Sequence, residues 1–498
     1  VVVLEKSVRF LDTTLRDGEQ TPGVSLTSDE KVMIAKKLDA IGVDIIEAGS
    51  AITSEGERDA IRAVVGEDLS AEICSYCRIR KEDIDAAISC DVDSIHLVAP
   101  LSDLHIEKKL KKDREWVRET SVECIQYALD HGLIVEYSAE DGSRADVDYV
   151  ESMFRDALDA GAQRVCLCDT VGILVPEKTR ELFSRLSGVG PVSVHCHDDY
   201  GLGTSNTVAA VLGGASEVHV TVNGIGERAG NTPLEEVALV LSNLYGYDIG
   251  LKTSELYSLS RLVARLTGVP VAPNKAVVGG NAFTHEAGIH VHGLLADTST
   301  YEPIRPETVG RKRRIVLGKH AGRASVLLAL KELGLNVNDE QLNEIMGRIK
   351  EIGDRGKKVT DADFQAIAES VLNLTSKAWV KLEELTVVSG TVMPTASIRL
   401  KVDGEEKLAA GTGTGPVDAA INALRNALSG LSDVQLDEYH VDAISGGTDA
   451  LVDVWVKMSK DKHVMTARGA HSDIIMASVE AVLQAINRLK ERDAKEGQ

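Results

Sequence analysis

Residues 8–49 read VRFLDTTLRDGEQTPGVSLTSDEKVMIAKKLDAIGVDIIEAG. A β-rich run, Val8–Thr14, gives way to a polar loop and then to a helix-period stretch, Ser28–Ile41. Thr27 or Ser28 is placed to cap its first turn and Gly42 to end it. A second β-rich run, Asp44–Gly49, follows at once. Strand, loop, helix, strand is the unit of a parallel sheet, because parallel strands need a crossover long enough to hold a helix. The rhythm continues to about residue 245, with β-rich runs at Ala71–Tyr76, Ser94–Pro100, Ile134–Asp141, Arg164–Thr170, Pro191–Asp198 and Glu217–Gly224. Helix-period stretches such as Glu151–Ala160, before Gly161, lie between them. Eight alternations predict closure into an α/β barrel of the TIM (β/α)8 type. A doubly wound open sheet is the alternative. It would bring a glycine-rich phosphate loop after its first strand, and Asp12-Thr-Thr-Leu-Arg-Asp17 is no such loop.

Residues of about 250–275 are helical and end in Val269-Pro-Val-Ala-Pro273. A polar region follows, then helices near Ala324–Leu333 and Asp339–Gly353. Beyond about residue 380 the texture changes: Leu385–Gly390, Ala396–Val402, Tyr439–Ser445 and Ala450–Ser459 read as strands, Val417–Leu428 and Ile474–Leu489 as amphipathic helices. The glycine-bearing pieces Gly413–Ala419 and Ser445–Ala450 suggest an internal duplication. The expected division is a catalytic barrel over 1–275, helical linker subdomains over 276–378 and a separate C-terminal α+β domain over 379–498.

The composition, 43% hydrophobic and 27% charged over 498 residues, is that of a folded chain large enough for several domains. Against 77 Asp and Glu stand 55 Lys and Arg, a net charge of −22 that disfavours nucleic acid and anionic membrane as partners. An anionic substrate would therefore need its own local cationic pocket. No apolar run of about 18 residues is present, so no membrane span is expected. Val1–Asp12 lacks the pattern of a secretory signal. Seven cysteines, an odd number, predict reduced thiols in a cytoplasmic protein. Cys166-Leu-Cys168 has no second cysteine pair to complete a metal site and reads as structural.

Polar residues unusual for a barrel core collect at strand ends. Arg16 and Asp17 follow the first strand and Glu47 ends the second. Ser138, Glu140 and Asp141 end the fifth, Asp169 and Thr170 the sixth, His195 and His197 the seventh. Asn223, Glu227 and Asn231 follow the eighth. All fall at carboxyl ends, the face on which barrel enzymes build their sites. His195 and His197, two apart on a strand, point to one side, so both imidazoles can reach one cation. Asp17 and Asn231 converge on them from strands 1 and 8, which weighs against two merely hydrogen-bonded histidines. Two imidazoles, a carboxylate and an amide oxygen suit a divalent Mg, Mn or Zn ion, and no Cys₄ set points to structural zinc. Arg16 beside the ion could polarise a ketone oxygen and stabilise the alkoxide formed there, even while salt-bridged to Glu47 or Asp44. Glu140 is the best internal candidate for positioning or proton transfer, unless Arg144 merely pairs it to a helix.

With these residues in hand a family resemblance emerges. Leu15-Arg-Asp-Gly-Glu-Gln20, followed by Lys31, resembles the first signature of the isopropylmalate, homocitrate and citramalate synthases. Val192-Ser-Val-His-Cys-His-Asp-Asp-Tyr-Gly-Leu-Gly203 resembles their second, with Asp198 in place of the usual Asn. Asn223-Gly-Ile-Gly-Glu-Arg-Ala-Gly-Asn231 resembles their metal-bearing loop, and the resemblance spans essentially the whole chain. It implies an acyltransferase that condenses acetyl-CoA with a 2-oxo acid at a divalent metal held by Asp17, His195, His197 and Asn231. Arg16, Thr170, His105 and Ser138 would contact the oxo acid, with Glu140 in the same pocket. Phe283–His290 resembles the linker whose final histidine, His290, reaches a neighbouring subunit's site in a homodimer and assists proton transfer. Gly310–Arg323, with Lys319 and His320, resembles the close of that subdomain. Residues from about 380 resemble a regulatory domain that binds a branched-chain amino acid. An aldolase or lyase of the same superfamily would share the metal and Arg16, but the second domain and the Gly-Ile-Gly-Glu-Arg loop favour a synthase.

Within the family, Glu47–Ser54 and His96–Pro100 resemble the archaeal citramalate synthases, which use pyruvate. Isopropylmalate synthases, which use 2-oxoisovalerate, more often carry Gly-Phe-Pro and His-Thr-Phe there. Leu97 and Val98 are expected to fill the space an isopropyl group would need, and isoleucine is the expected effector.

Overall fold

The computed structural model describes residues 6–286, 288–354, 359–372, 379–428, 434–443, 452–460 and 463–496. Eight parallel strands succeed one another around a closed barrel in chain order. They are β1 (Arg9–Asp12), β2 (Ile45–Gly49), β3 (Glu72–Arg78), β4 (Ser94–Pro100), β5 (Ile134–Glu140), β6 (Arg164–Asp169), β7 (Val192–Cys196) and β8 (Glu217–Val220). β1 pairs with β8 as well as β2, which closes the sheet and removes the open-sheet alternative.

Every residue of β2, β4, β6 and β7 is buried, as expected of strands covered on both faces. Side chains alternate between those faces. Ile95, Leu97, Ala99, Val135, Tyr137 and Ala139 belong to the hydrophobic cluster shared with the surrounding helices. Ser94, His96, Glu136 and Ser138 fill the barrel interior with the opposite parity. The helix Ser28–Ile41 shows why the first crossover forms. Thr27 and Glu30 cap it reciprocally, and Ile34, Ala35, Leu38 and Ile41 make its buried face. It ends on Gly42 at φ 101°, a left-handed turn that glycine adopts without strain.

The interior below the carboxyl-end face is charged. Arg164 bonds Glu72 at 2.5 Å and lies 3.5 Å from both Glu136 and Glu217. His219 Nε2 is 3.2 Å from Glu136 and 3.5 Å from Glu217. Burial alone would lower the His219 imidazole, but these carboxylates outweigh it and hold it up at about 10. These carboxylates thus favour the protonated imidazole of His219.

Contacts divide the chain into two units, Val1–Val316 and Leu317–Gln498. The first adds to the barrel a helix, Leu256–Thr267, packed on Ser28–Ile41, and a short parallel ribbon of β9 (Thr284–His285) and β10 (Arg314–Ile315). In the second, three helices (Arg323–Glu332, Asp339–Asp354 and Asp361–Val371) enclose Val326, Ile345, Ile349 and Phe364. Two antiparallel sheets follow. β11 (Val380–Val388), β12 (Thr395–Val402) and β13 (Glu405–Thr412) precede the helix Pro416–Ala427. β14 (Gln435–Ala443), β15 (Val452–Lys460) and β16 (His463–His471) precede the helix Ile474–Glu496. Each half is three strands and a helix, the repetition that the glycine turns suggested. β13 and β16 are additions to the strands read from sequence, and the turn Ser445–Ala450 lies outside the described residues. Among the described residues no helix is long and apolar enough to cross a membrane. All seven cysteines are free and buried.

Candidate active site

At the carboxyl end of the barrel Asp17, His195 and His197 bring their donor atoms together. His195 Nε2 lies 3.4 Å from His197 Nε2 and 3.5 Å from Asp17 Oδ2, which is 4.0 Å from His197 Nε2. Ligand atoms each about 2.1 Å from a shared ion stand roughly 3.0–3.4 Å apart, so a divalent cation would need to draw this triangle only slightly inward. Asn231 closes the group by donating from Nδ2 to Asp17 Oδ1 at 3.0 Å and to the Ile225 carbonyl at 3.2 Å. Its Oδ1 is buried without a partner among the described residues, an arrangement that costs stability unless a cation or donor satisfies it. The Nδ1 atoms of both histidines are likewise unpartnered. Burial pushes the Asp17 carboxyl up, but Arg16, the two imidazoles and the Asn231 amide outweigh it and hold it at about 2. Burial keeps the His195 imidazole well below its usual range and lowers that of His197. An ionised carboxylate, two neutral imidazoles and a free amide oxygen fit Mg, Mn or Zn.

The loop after β8 must carry glycine to make this geometry. A Cβ on Gly226, at φ 153°, would fall 2.1 Å from Asn231 Nδ2 and 3.2 Å from Asp17 Oδ1. The loop after β1 is pinned from below by Lys31, which is completely buried. Its Nζ donates to the Leu15 carbonyl at 3.1 Å and to Glu57 at 2.8 and 2.9 Å, and reaches Glu19 at 2.7 Å. A buried ammonium persists because it is fully paired.

Arg16 donates from Nε to Glu47 at 2.7 Å and from Nη1 to Asp17 at 3.0 Å, and its guanidinium stacks 4.7 Å from the Tyr76 ring. It thus pairs with Glu47 and faces the cavity at once, while Asp44 accepts from the Phe10 amide instead. Glu47 also accepts from Thr13 Oγ1 at 2.5 Å and contacts His96 Nδ1 at 2.8 Å. His96 Nε2 in turn meets Ser138 Oγ at 2.5 Å, so Ser138 stands behind His96.

A cavity of about 190 Å³ opens over the cluster. Of the residues singled out from sequence, Arg16, Asp17, Val98, Glu140, Thr170, His195, His197 and Glu227 line it. Thr170 Oγ1 accepts from the Asp141 amide at 2.8 Å. Glu140 is paired with Lys109 at 2.6 and 2.9 Å, whereas Arg144 bonds Asp141 at 2.7 Å. His105 stands next to the cavity wall with Nδ1 3.2 Å from Glu140. Asp169 accepts from the Ile173 and Leu174 amides, and Asn223 ties to Ser260; neither lines the cavity. His290 is exposed and stacks on Tyr301 at 4.3 Å, apart from the cavity lining. Lys319 and His320 are exposed in the second unit.

Leu97 requires correction. It faces the helix layer and not the cavity, while its neighbour Val98 lines the cavity with His96. The register explains why. His96 and Val98 pair with the inward-facing Glu136 and Ser138, whereas Leu97 pairs with Tyr137, which points outward. The lining residues that sequence reasoning missed are Gln20, Tyr76, His96, Cys168 and Arg228. Strand parity carried from β5 to β4 was the available sign for His96; Tyr76 had none beyond lying near a strand end, and Arg228 lay inside the quoted Asn223–Asn231 loop without being given a role.

A closed (β/α)8 barrel carries at its carboxyl end an Asp, His and His group able to hold a metal ion, with Asn231 and the part-buried Arg16 beside it. Residues 7–263 match the HMGL-like family, and the chain belongs to it. Residues 277–357 match the homocitrate synthase post-HMGL domain-like family, and 358–490 the LeuA allosteric (dimerisation) domain. The (R)-citramalate synthase CimA of Methanocaldococcus jannaschii is 56% identical over 487 residues, covering 97% of this chain and 99% of that protein. A Methanosarcina acetivorans protein provisionally named for the same activity is 62% identical over 479 residues, 95% of this chain and 99% of its own.

Proposed function

We propose that the chain is an (R)-citramalate synthase. It joins the methyl carbon of acetyl-CoA to the ketone carbon of pyruvate and hydrolyses the thioester, giving citramalate and free CoA. The observation that carries this reading is 56% identity to the M. jannaschii (R)-citramalate synthase over 97% of this chain. The intact cluster of Asp17, His195, His197 and Asn231 beneath Arg16 supports it.

A divalent ion held by those four residues would supply Lewis acidity at the acceptor ketone. Arg16, fixed by Glu47, offers N–H donors to the negative charge that grows on the ketone oxygen as the carbon–carbon bond forms. Thr170 and His96 orient the acceptor from the cavity wall, with Ser138 holding His96. Glu140 takes the proton from the acetyl methyl, with His105 beside it as relay. Tyr76 and Val98 narrow the acceptor end to a methyl group. His290 of a partner subunit assists proton transfer, so the working form is a homodimer. The match to a LeuA allosteric (dimerisation) domain supports that dimer and allosteric control; we take isoleucine, the amino acid this cytoplasmic reaction would feed, as the effector. Incubation with acetyl-CoA and pyruvate, followed by thiol release and chiral chromatography, tests the reading. (R)-citramalate equimolar with free CoA is expected, and CoA release without it would reject the assignment.

A further inference from the structure

We propose that the lysine run Lys108–Lys112 is the docking patch for the phosphate groups of the CoA co-substrate. The proposal rests on the reading of acetyl-CoA as acyl donor and assigns that donor a place on the protein.

The run lies between β4 and the helix Arg114–Asp130, on the carboxyl-end face that carries the site. Ile106–Leu110 is a wide π turn, and Lys111 follows in the left-handed conformation at φ 57°. The segment reads Ile106-Glu-Lys-Lys-Leu-Lys-Lys112, four lysines in five residues. One end of it touches the active site, because Lys109 Nζ donates to Glu140 on the cavity wall at 2.6 and 2.9 Å.

The remaining charges are uncommitted. Lys108 and Lys111 are exposed and make no ion pair among the described residues, and Lys112 lies over the Trp116 ring at 4.8 Å. Three arginines of this face are matched by carboxylates, whereas Arg80 and Lys178 stand as single exposed cations with no ion pair among the described residues, not as a run. Arg144 bonds Asp141, Arg228 bonds Asp199, and Arg114 bonds Asp103. Adjacent like charges repel one another, and in a chain of net charge −22 an uncompensated basic cluster is a local feature fit for a polyanion. A cavity of about 190 Å³ holds the reacting ends of two small substrates but not a nucleotide. The pantetheine arm sets the diphosphate and the ribose 3′-phosphate away from the thioester, so they must be bound at the rim. Lys312 and Arg314 also make no side-chain ion pair among the described residues; they lie at the β9–β10 ribbon, where no residue lines the cavity.

The test uses the full chain with Lys108→Glu and Lys112→Glu combined. Lys109 is left intact because it also holds Glu140. For acetyl-CoA the variant's kcat/KM should fall about tenfold, since two exposed attractions become repulsions. For S-acetyl-pantetheine, which lacks every phosphate, it should stay within about twofold of wild type. Rising ionic strength should weaken wild-type use of acetyl-CoA but not of the short thioester. Equal losses with both thioesters, or no loss with either, would overturn the proposal; the second outcome would move the phosphates toward Lys312 and Arg314. Failure of the functional reading looks different, because the wild type would then release no thiol from either donor. Calorimetric titration of CoA into wild type and variant reads the patch independently of turnover, and equal affinities would overturn it.

Discussion

Asp12 ends β1 with Oδ1 accepting from the Thr14 amide at 2.9 Å and Oδ2 buried without a partner. Burial raises its carboxyl to about 7 against the lowering effect of Thr14, with Glu235 and Glu47 adding to the rise. Because the folded value lies above the unfolded 3.8, the folded protein keeps a proton that the unfolded chain releases. Stability from this group is therefore full at low pH and lost as pH rises toward and through 7. Asp12→Asn keeps an oxygen for Thr14 and should flatten the decline in Tm between about pH 4 and pH 7; parallel pH profiles in thermal melts would contradict this. Leu97 and Val98 make a second residue-level test. Leu97→Ala should cost on the order of 2–5 kcal/mol in denaturant titrations while leaving acceptor preference unchanged. Val98→Ala should shift preference toward larger 2-oxo acids. The metal cluster was legible because His195 and His197 carry their own parity, two residues apart on one strand. The acceptor wall was not, because Leu97 and Val98 are both apolar and only pairing with β5 shows which one turns inward.

At the scale of elements, the loop from Asn223 to Asn231 works through close approach. Gly226→Ala would thrust a methyl group into the space of Asn231 Nδ2 and displace the amide from Asp17. Displacing such a partner should weaken Mn(II) binding about 10–100-fold in calorimetric titration, and wild-type affinity would remove Asn231 from the centre. The barrel strands were readable because β-branched runs are bounded by glycine and followed by capped helices. β13 was not, since Glu405–Thr412 is rich in alanine, glycine and charge and lacks a strong β signal. Its sign was the dipeptide Asp403-Gly404, whose φ angles of 49° and 91° make the two-residue turn that joins β12 to β13.

For the whole molecule, a homodimer that shares its sites makes a distinct prediction. His290→Ala and Glu140→Ala should each be nearly inactive, and mixing them under subunit exchange should restore part of the activity through sites that keep both groups. Mixed dimers that stay inactive would place the full proton path within one chain. The barrel's position in the sequence was legible throughout; the size of the space over the cluster was not, since it depends on how the lining side chains, Tyr76 and Val98 among them, come together in the closed barrel. That space carries the central claim. With equal pyruvate and 2-oxoisovalerate competing for limiting acetyl-CoA, the ratio of products reports the ratio of kcat/KM directly. Excluding two methyl groups is worth ~1.4 kcal/mol or more, so citramalate should exceed 2-isopropylmalate at least about tenfold by mass spectrometry. A mixture dominated by 2-isopropylmalate would contradict the account.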